Sequence, residues 1–294
     1  MERWFRLVPI VLGLTGVVMA APRAPVADPT LAVLLQSAGT YLATYEQKFA
    51  AVVAHETYSL VSTLPAISIT AKAPTVRREL HSDVMMLNLG PAEWVQFRDV
   101  FEVNGQPVHD EDGRLVALLA HPANVLAAAH AIANASARYN VGVERNFNVP
   151  TMALAYLASQ NQGRSTFSLK SFETVDGARA ALVEFQETAS PGLIVTSGGT
   201  ITTHGRFWVE AASGAILKTE LNCRVDRATT WVTGSVRVDY GREPALDMLV
   251  PKSMNEAYRH DTGQTDDGYA TYQAFRTFTV DTTAIKRGGG GLKP

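Results

Sequence analysis

Cysteine is almost missing. Cys223 is the only one in 294 residues, so no intrachain disulfide can form and the core has to hold by packing alone. Dense basic clusters are missing too. The formal net charge is −2, from 26 Lys and Arg against 28 Asp and Glu, and no run of cations offers the footprint that neutralising phosphates requires. A nucleic-acid partner is therefore not expected. The seven histidines, His55, His81, His109, His121, His130, His204 and His260, show neither the i, i+4 nor the His-x-His spacing that sets two imidazoles on one metal.

Catalytic signatures are missing as well. Gly-x-Ser-x-Gly and Ser-x-x-Lys do not occur, Ser168-Leu169-Lys170 being one residue short, and no glycine-rich loop is built to cradle phosphate. The acidic run Asp110-Glu111-Asp112-Gly113 lacks the fifth and twelfth ligands of a calcium loop and reads as a solvated turn or helix cap. No cofactor is expected. Two arrangements leave no local motif: a zinc site assembled from distant positions, and a carboxylate pair carried by separate strands. A hydrolase with a scattered site stays open on that ground, behind non-enzymatic readings.

What is present begins with Arg3 and Arg6, followed by the apolar run Leu7 to Met19 and the small residues around Ala20. This is the pattern of a secretory signal peptide over 1–20, shorter than a bilayer-spanning anchor. The expected location is periplasmic or secreted. Residue 21 is not a cysteine, so amino-terminal lipidation is not expected. At 46% hydrophobic and 18% charged residues, the remainder is globular in composition. It reads as a single sheet-rich domain over 21–287, with a helical insertion at about 110–158 and a disordered tail at 288–294.

Asp28-Pro29 predicts a helix start. Leu31, Leu34, Leu35, Ala38, Leu42, Tyr45, Phe49 and Val52 then recur at spacings of three and four, one apolar stripe along about six turns. Extended segments follow at 55–60, 76–89 and 94–103, the last closed by the tight-turn pair Asn104-Gly105. Further strands are expected at 165–172 and 178–188. From Gly205 the pattern becomes a meander. Leu217, Thr219, Leu221, Cys223 and Val225 alternate with Lys218, Glu220, Asn222, Arg224 and Asp226, and Val232, Gly234, Val236, Val238 and Tyr240 continue the same rhythm. Two last strands, 253–260 and 269–280, flank the turn-rich stretch Asp261 to Gly268.

The hairpin Gly205-Arg206-Phe207-Trp208-Val209-Glu210, turning at Ser213-Gly214 and returning through Leu217-Lys218-Thr219-Glu220, resembles one found in the periplasmic lipoprotein-carrier superfamily of half-open β-barrels, the LolA-like and RseB-like proteins. It is also similar to hairpins in uncharacterised secreted bacterial proteins. The resemblance implies an α+β fold: a large curved antiparallel sheet with a long amino-terminal helix and a helical insertion packed on its concave face. It also implies a non-enzymatic protein that holds a lipid, an acyl chain or a lipidated partner. An envelope interaction module, docking a membrane partner, is the alternative. Oligomeric state is not legible.

Two charges break the alternation of the last strands. Glu256 shares a face with Met254 and Tyr258, and Arg276 shares one with Tyr272, Ala274 and Phe278. If the hairpin pairs residues whose numbers sum to about 530, the two charges sit diagonally at ~7 Å and can meet. Glu256, Arg276, Tyr258 and Tyr272 are then the candidate residues of an inward charged pair or cavity. The competing reading is a bulge near Phe275 that turns Arg276 out to solvent and leaves Phe275 on the core face.

Overall fold

A computed structural model describes residues 28–49, 52–66, 68, 71–90, 93–108, 131–132, 135–142, 148–195 and 200–277. The signal-like segment, the carboxy-terminal tail and most of the expected insertion at 110–158 lie outside the described residues. Helix α1 (Leu31–Phe49) leads into β1 (Val52–Thr63), β2 (Thr75–Gly90), β3 (Glu93–Val103) and the two-residue β4 (Gln106–Pro107). After the 3-10 turn Met152–Tyr156 come β5 (Ser165–Val175), β6 (Ala178–Glu187), β7 (Thr200–Glu210), β8 (Ile216–Asp226), β9 (Trp231–Glu243), β10 (Met248–His260) and β11 (Thr265–Thr277).

All eleven strands form one antiparallel sheet in the order β4-β3-β2-β1-β11-β10-β9-β8-β7-β6-β5. It is curved but not closed, an α+β half-open arrangement. Consecutive strands are neighbours except for β4 and β5, which lie at opposite edges, and the one non-consecutive pairing, β1 with β11, brings the amino-terminal strand beside the last one.

The meander follows the alternation. Leu221, Cys223, Val225, Val236, Val238 and Tyr240 are buried in a single core, with β7 and β8 joined by the expected turn. One departure has a local cause. Trp208 pairs with Lys218 but Val209 pairs with Ile216, and the bulge turns Ile216 into the core beside Leu217. Gly214 is required in that turn because its φ is +76° and a Cβ there would lie 2.7 Å from the Cβ of Ser37 on α1.

Helix α1 presents Leu34, Ala38, Leu42, Tyr45 and Phe49 to the sheet, while Leu31 and Leu35 are only partly buried at the margin. It is a turn shorter than its apolar stripe, since Val52 already belongs to β1. Asp28 is not the cap: Thr30 accepts the Val33 amide through Oγ1 at 3.4 Å. Asp28 instead takes a bidentate bond from Arg179 at 2.7 and 2.9 Å. Within the expected insertion at 110–158, Met152–Tyr156 is a 3-10 turn, whose Tyr156 packs on Phe185, which in turn stacks on Phe207.

Candidate functional site

The last hairpin decides where the charged candidates go. Its register is Met254 opposite Ala270 and Glu256 opposite Gly268, a sum of 524 rather than 530. The strand begins four residues earlier than the turn-rich sequence suggested, because only Asp261 to Gln264 make the turn; the His260 amide is bonded to Gln264 O at 3.1 Å. Glu256 and Arg276 are therefore well apart along the hairpin. In β11, Arg276 faces Val53 of β1 while Gln273 faces His55, so one extra residue is accommodated. Ala274 takes a φ of +50° at that bulge. Arg276 turns outward to pair with Asp83 of β2, its side chain 45% exposed, and Phe275 packs against the core. The bulged alternative is the one observed.

Glu256 points inward and is 3% exposed. It accepts a bond from Tyr258 OH at 2.8 Å and another from Tyr58 OH, which reaches over from β1. Asn148 donates to Tyr58 OH at 3.3 Å. Gly268 makes room for the carboxylate, since a Cβ there would lie 2.6 Å from Glu256 Cγ. Gly234 makes room for the Tyr258 ring, 3.1 Å from where its own Cβ would stand.

Beside this lies a centre with little signature in the sequence. Glu56 of β1 is fully buried and takes two bonds from Arg98 of β3, one of 2.8 Å, and one of 2.9 Å from Ser82. The Arg98 guanidinium also stands 4.6 Å from the Tyr58 ring centroid. Burial works against the Arg98 charge, but Glu56 outweighs it and raises the pKa further. Tyr272, opposite Glu56, is pushed well above the ordinary tyrosine range, first by burial and then by the Glu56 charge, and its hydroxyl lies 3.8 Å from Met254 Sδ. The structure thus gathers Glu256, Tyr258 and Tyr272 in one buried polar seam and leaves Arg276 outside it. Glu56 was readable as an inward charge from the alternation Ala54, Glu56, Tyr58, Leu60. Its partner Arg98 was not, because the two are 42 residues and one intervening strand apart.

A third buried pair, His260 and Asp266 at 2.8 Å, extends the seam, with Gln264 bonded to Asp266 at 3.1 Å. Asp266, Gly268, Ala270 and Tyr272 stand two apart, an alternation that the turn-like composition disguised. Chemically the seam is saturated with donors and acceptors rather than poised for transfer. Tyr272 stays protonated, and the Arg98 guanidinium balances the Glu56 charge.

On the other half of the concave face the lining is apolar. Phe185, Phe207, Val209, Leu221, Val236 and Val238 face inward, covered by α1 and the 3-10 turn. At the carboxy-terminal end of α1 a small, mostly apolar void of about 10 Å³ lies among Phe49, Ala54, Val84 and Tyr272.

The convex face carries a polar groove of about 550 Å³ that includes Glu184, Arg206 and Glu220. Lys170 lies 3.0 Å from Glu184, and Arg237 lies 2.6 Å from Glu220. Both carboxyls are held below the usual range. For Glu184 the bond from Lys170 is the largest cause; for Glu220 burial pulls upward, and the bonds from Arg237 and Asn222 outweigh it. A glycosidase acid needs the opposite shift.

No protein-family model and no curated protein matches the chain. Among solved structures it is similar to a domain described as outer membrane lipoprotein-sorting from Vibrio parahaemolyticus, at 14% identity over 86% of this chain and 98% of that one, with a TM-score of 0.38. It is also similar to a DUF1329 family protein from Desulfovibrio piger, at 10% identity over 88% and 98%, with a TM-score of 0.34. MucB in complex with MucA(peri) is matched at 7% identity over 82% and 99%, with a TM-score of 0.20.

Proposed function

We propose that this chain is a non-catalytic binding protein, exported to the periplasm or beyond, which takes the alkyl part of a lipid or lipidated partner against the concave face beneath α1. The observation that carries this reading is how the apolar half of the concave face is roofed, by α1 and the 3-10 turn Met152–Tyr156. The helix is held mainly by its apolar stripe. Its polar ties among the described residues include Lys48 to Asp247 O at 3.4 Å, Gln162 to Leu35 O at 2.9 Å, and the exposed Asp28–Arg179 pair beside its first turn. Such a roof can be displaced by another apolar surface at small cost, because dispersion and hydrophobic burial carry no directional requirement. The saturated polar seam then serves as the rigid half against which the sheet keeps its curve.

The test is direct. Organic extracts of the purified full-length protein are examined for lipid by mass spectrometry, and the delipidated protein is titrated with pyrene. Recovered lipid or saturable pyrene binding is expected. An empty extract together with no pyrene binding overturns the reading.

A further inference from the structure

Of the five large apolar side chains that stand exposed among the described residues, three lie at one end of the sheet: Leu64 at 43%, Val76 at 48% and Val195 at 75% exposure. The ladder fixes that end. Thr63 pairs with Thr265, His260 with Val232, Asp226 with Trp231 and with Thr200, and Gln186 with His204, so the β1–β2, β10–β11, β8–β9 and β6–β7 connections emerge together. Helix α1 keeps to the other end, where Ser37 sits on the Gly214 turn and Lys48 reaches Asp247 O. Leu64 and Val76 flank the neck of the β1–β2 hairpin, closed by the bond from the Leu64 amide to Pro74 O at 2.9 Å, and Pro65 lies beside the Gly263 turn.

Charge follows the same division. Residues 57–78 contain Lys72, Arg77 and Arg78 and no acid, and residues 188–203 contain no charge at all. Lys72, Arg77 and, in the β8–β9 turn, Arg227 are exposed and form no ion pair among the described residues. Asp261 is the acid of the β10–β11 turn, and it accepts the Trp231 amide at 3.3 Å. The α1 end has the acids Asp176, Glu210 and Asp247 at its turns.

We propose that the loop end away from α1 is a docking surface for an anionic bilayer, with Leu64, Val76 and Val195 entering the interface while Lys72, Arg77 and Arg227 meet lipid phosphates. The proposal does not depend on what the concave face holds.

A bilayer is the occupant that this arrangement fits. Leu64 and Val195 belong to the connections that follow β1 and β6, which have five strands between them in the sheet. They are separate points on a rim, whereas a protein partner would need a contiguous packed core to bury them. A fluid interface takes up isolated apolar side chains, and binding grows with the apolar area buried and with the attraction of each cation to anionic lipid. Cations outside any ion pair supply that attraction without first breaking a salt bridge.

The experiment is flotation of the full chain with vesicles of phosphatidylcholine alone or with about a third phosphatidylglycerol. The apolar run Leu7 to Met19 is common to every arm, so differences between arms report the surface. Wild type should favour the phosphatidylglycerol vesicles and lose that preference in high salt. Lys72→Gln and Arg77→Gln should each weaken binding to them roughly fivefold, and Leu64→Ser and Val195→Ser each roughly tenfold. These four side chains are exposed, so urea unfolding midpoints should stay at the wild-type value. Asp176→Asn, at the opposite end, makes the net charge more positive and should leave binding unchanged. Absence of any preference for phosphatidylglycerol overturns the proposal. So does binding indifferent to Leu64→Ser and Val195→Ser, or a gain with Asp176→Asn equal to the loss with Lys72→Gln, since either is attraction by net charge without an oriented surface.

Discussion

Tyr58 on β1 donates its phenol proton to Glu256 on β10, spanning the whole width of β11 between them. It can do so because β11 turns only Gly268 and Ala270 inward at that level. The contact ties the amino-terminal strand to the carboxy-terminal meander through side chains as well as through the ladder. It depends on two small residues that make no polar contact themselves.

Gly268→Ala should therefore be severe. The new methyl meets the Glu256 carboxylate, 2.6 Å from its Cγ, and must displace a buried acid from two phenols. A loss of about 2 to 4 kcal/mol in urea unfolding is expected. A change below half a kilocalorie would mean that Glu256 turns aside freely.

Arg98→Met leaves Glu56 fully buried without its cation, at a cost of about 3 to 5 kcal/mol. Adding Glu56→Gln should recover much of it. Urea unfolding of both single variants and the double variant gives the coupling, and simple additivity would show that the pair carries no interaction of its own.

Arg276 behaves oppositely. Its pair with Asp83 is exposed, so Arg276→Gln should change stability by less than about 1 kcal/mol and add independently to Glu256→Gln. One residue away from Phe275, Ala274 holds a φ of +50°. Ala274→Gly should gain up to about 1 kcal/mol, the left-handed strain relieved less the added chain entropy. A raised unfolding midpoint confirms the bulge; a clear loss would contradict it.

The roof of the binding face can be locked. A Cβ on Gly39 of α1 would stand 3.4 Å from the Cβ of Ser159, near the ~3.5 Å lower limit for a disulfide. The Gly39→Cys, Ser159→Cys variant, oxidised, should lose pyrene uptake and regain it on reduction. Uptake unchanged by oxidation would mean that α1 does not move. Cys223 should not interfere, since burial pushes its thiol up to about 11 and the folded protein should resist thiol reagents at pH 8.

Acid should weaken the convex face. Glu220 is held below its ordinary value of 4.5 by Arg237 and Asn222, against the upward pull of burial. Its contribution is thus complete above that value and is lost as pH falls through the lower, folded one. Below pH 4.5 the wild type should lose stability more steeply than Glu220→Gln; parallel curves would dismiss the effect.

Much of the fold was legible without coordinates wherever pattern is local. The stripe of α1 named Leu42, Tyr45 and Phe49 as buried, and the alternation of β8 and β9 named their inward residues, because a helix or a half-buried strand writes its period into the chain. Tyr258 and Glu256 were readable as inward for the same reason.

What pattern could not supply was pairing. Asp266 and Gly268 look like turn residues, and only the tertiary structure shows that a buried His260 and a buried Glu256 need an acid and a gap opposite them. The register of β10 with β11, the pairing of β1 with β11 and the meeting of Arg98 with Glu56 each depend on residues far apart in sequence, whose association is selected by burial and charge compensation summed over the whole sheet. The sequence alone determined which residues face inward along the regular stretches of helix and strand; bulges and the closing of its two ends into one sheet determined the exceptions and whom the inward residues meet.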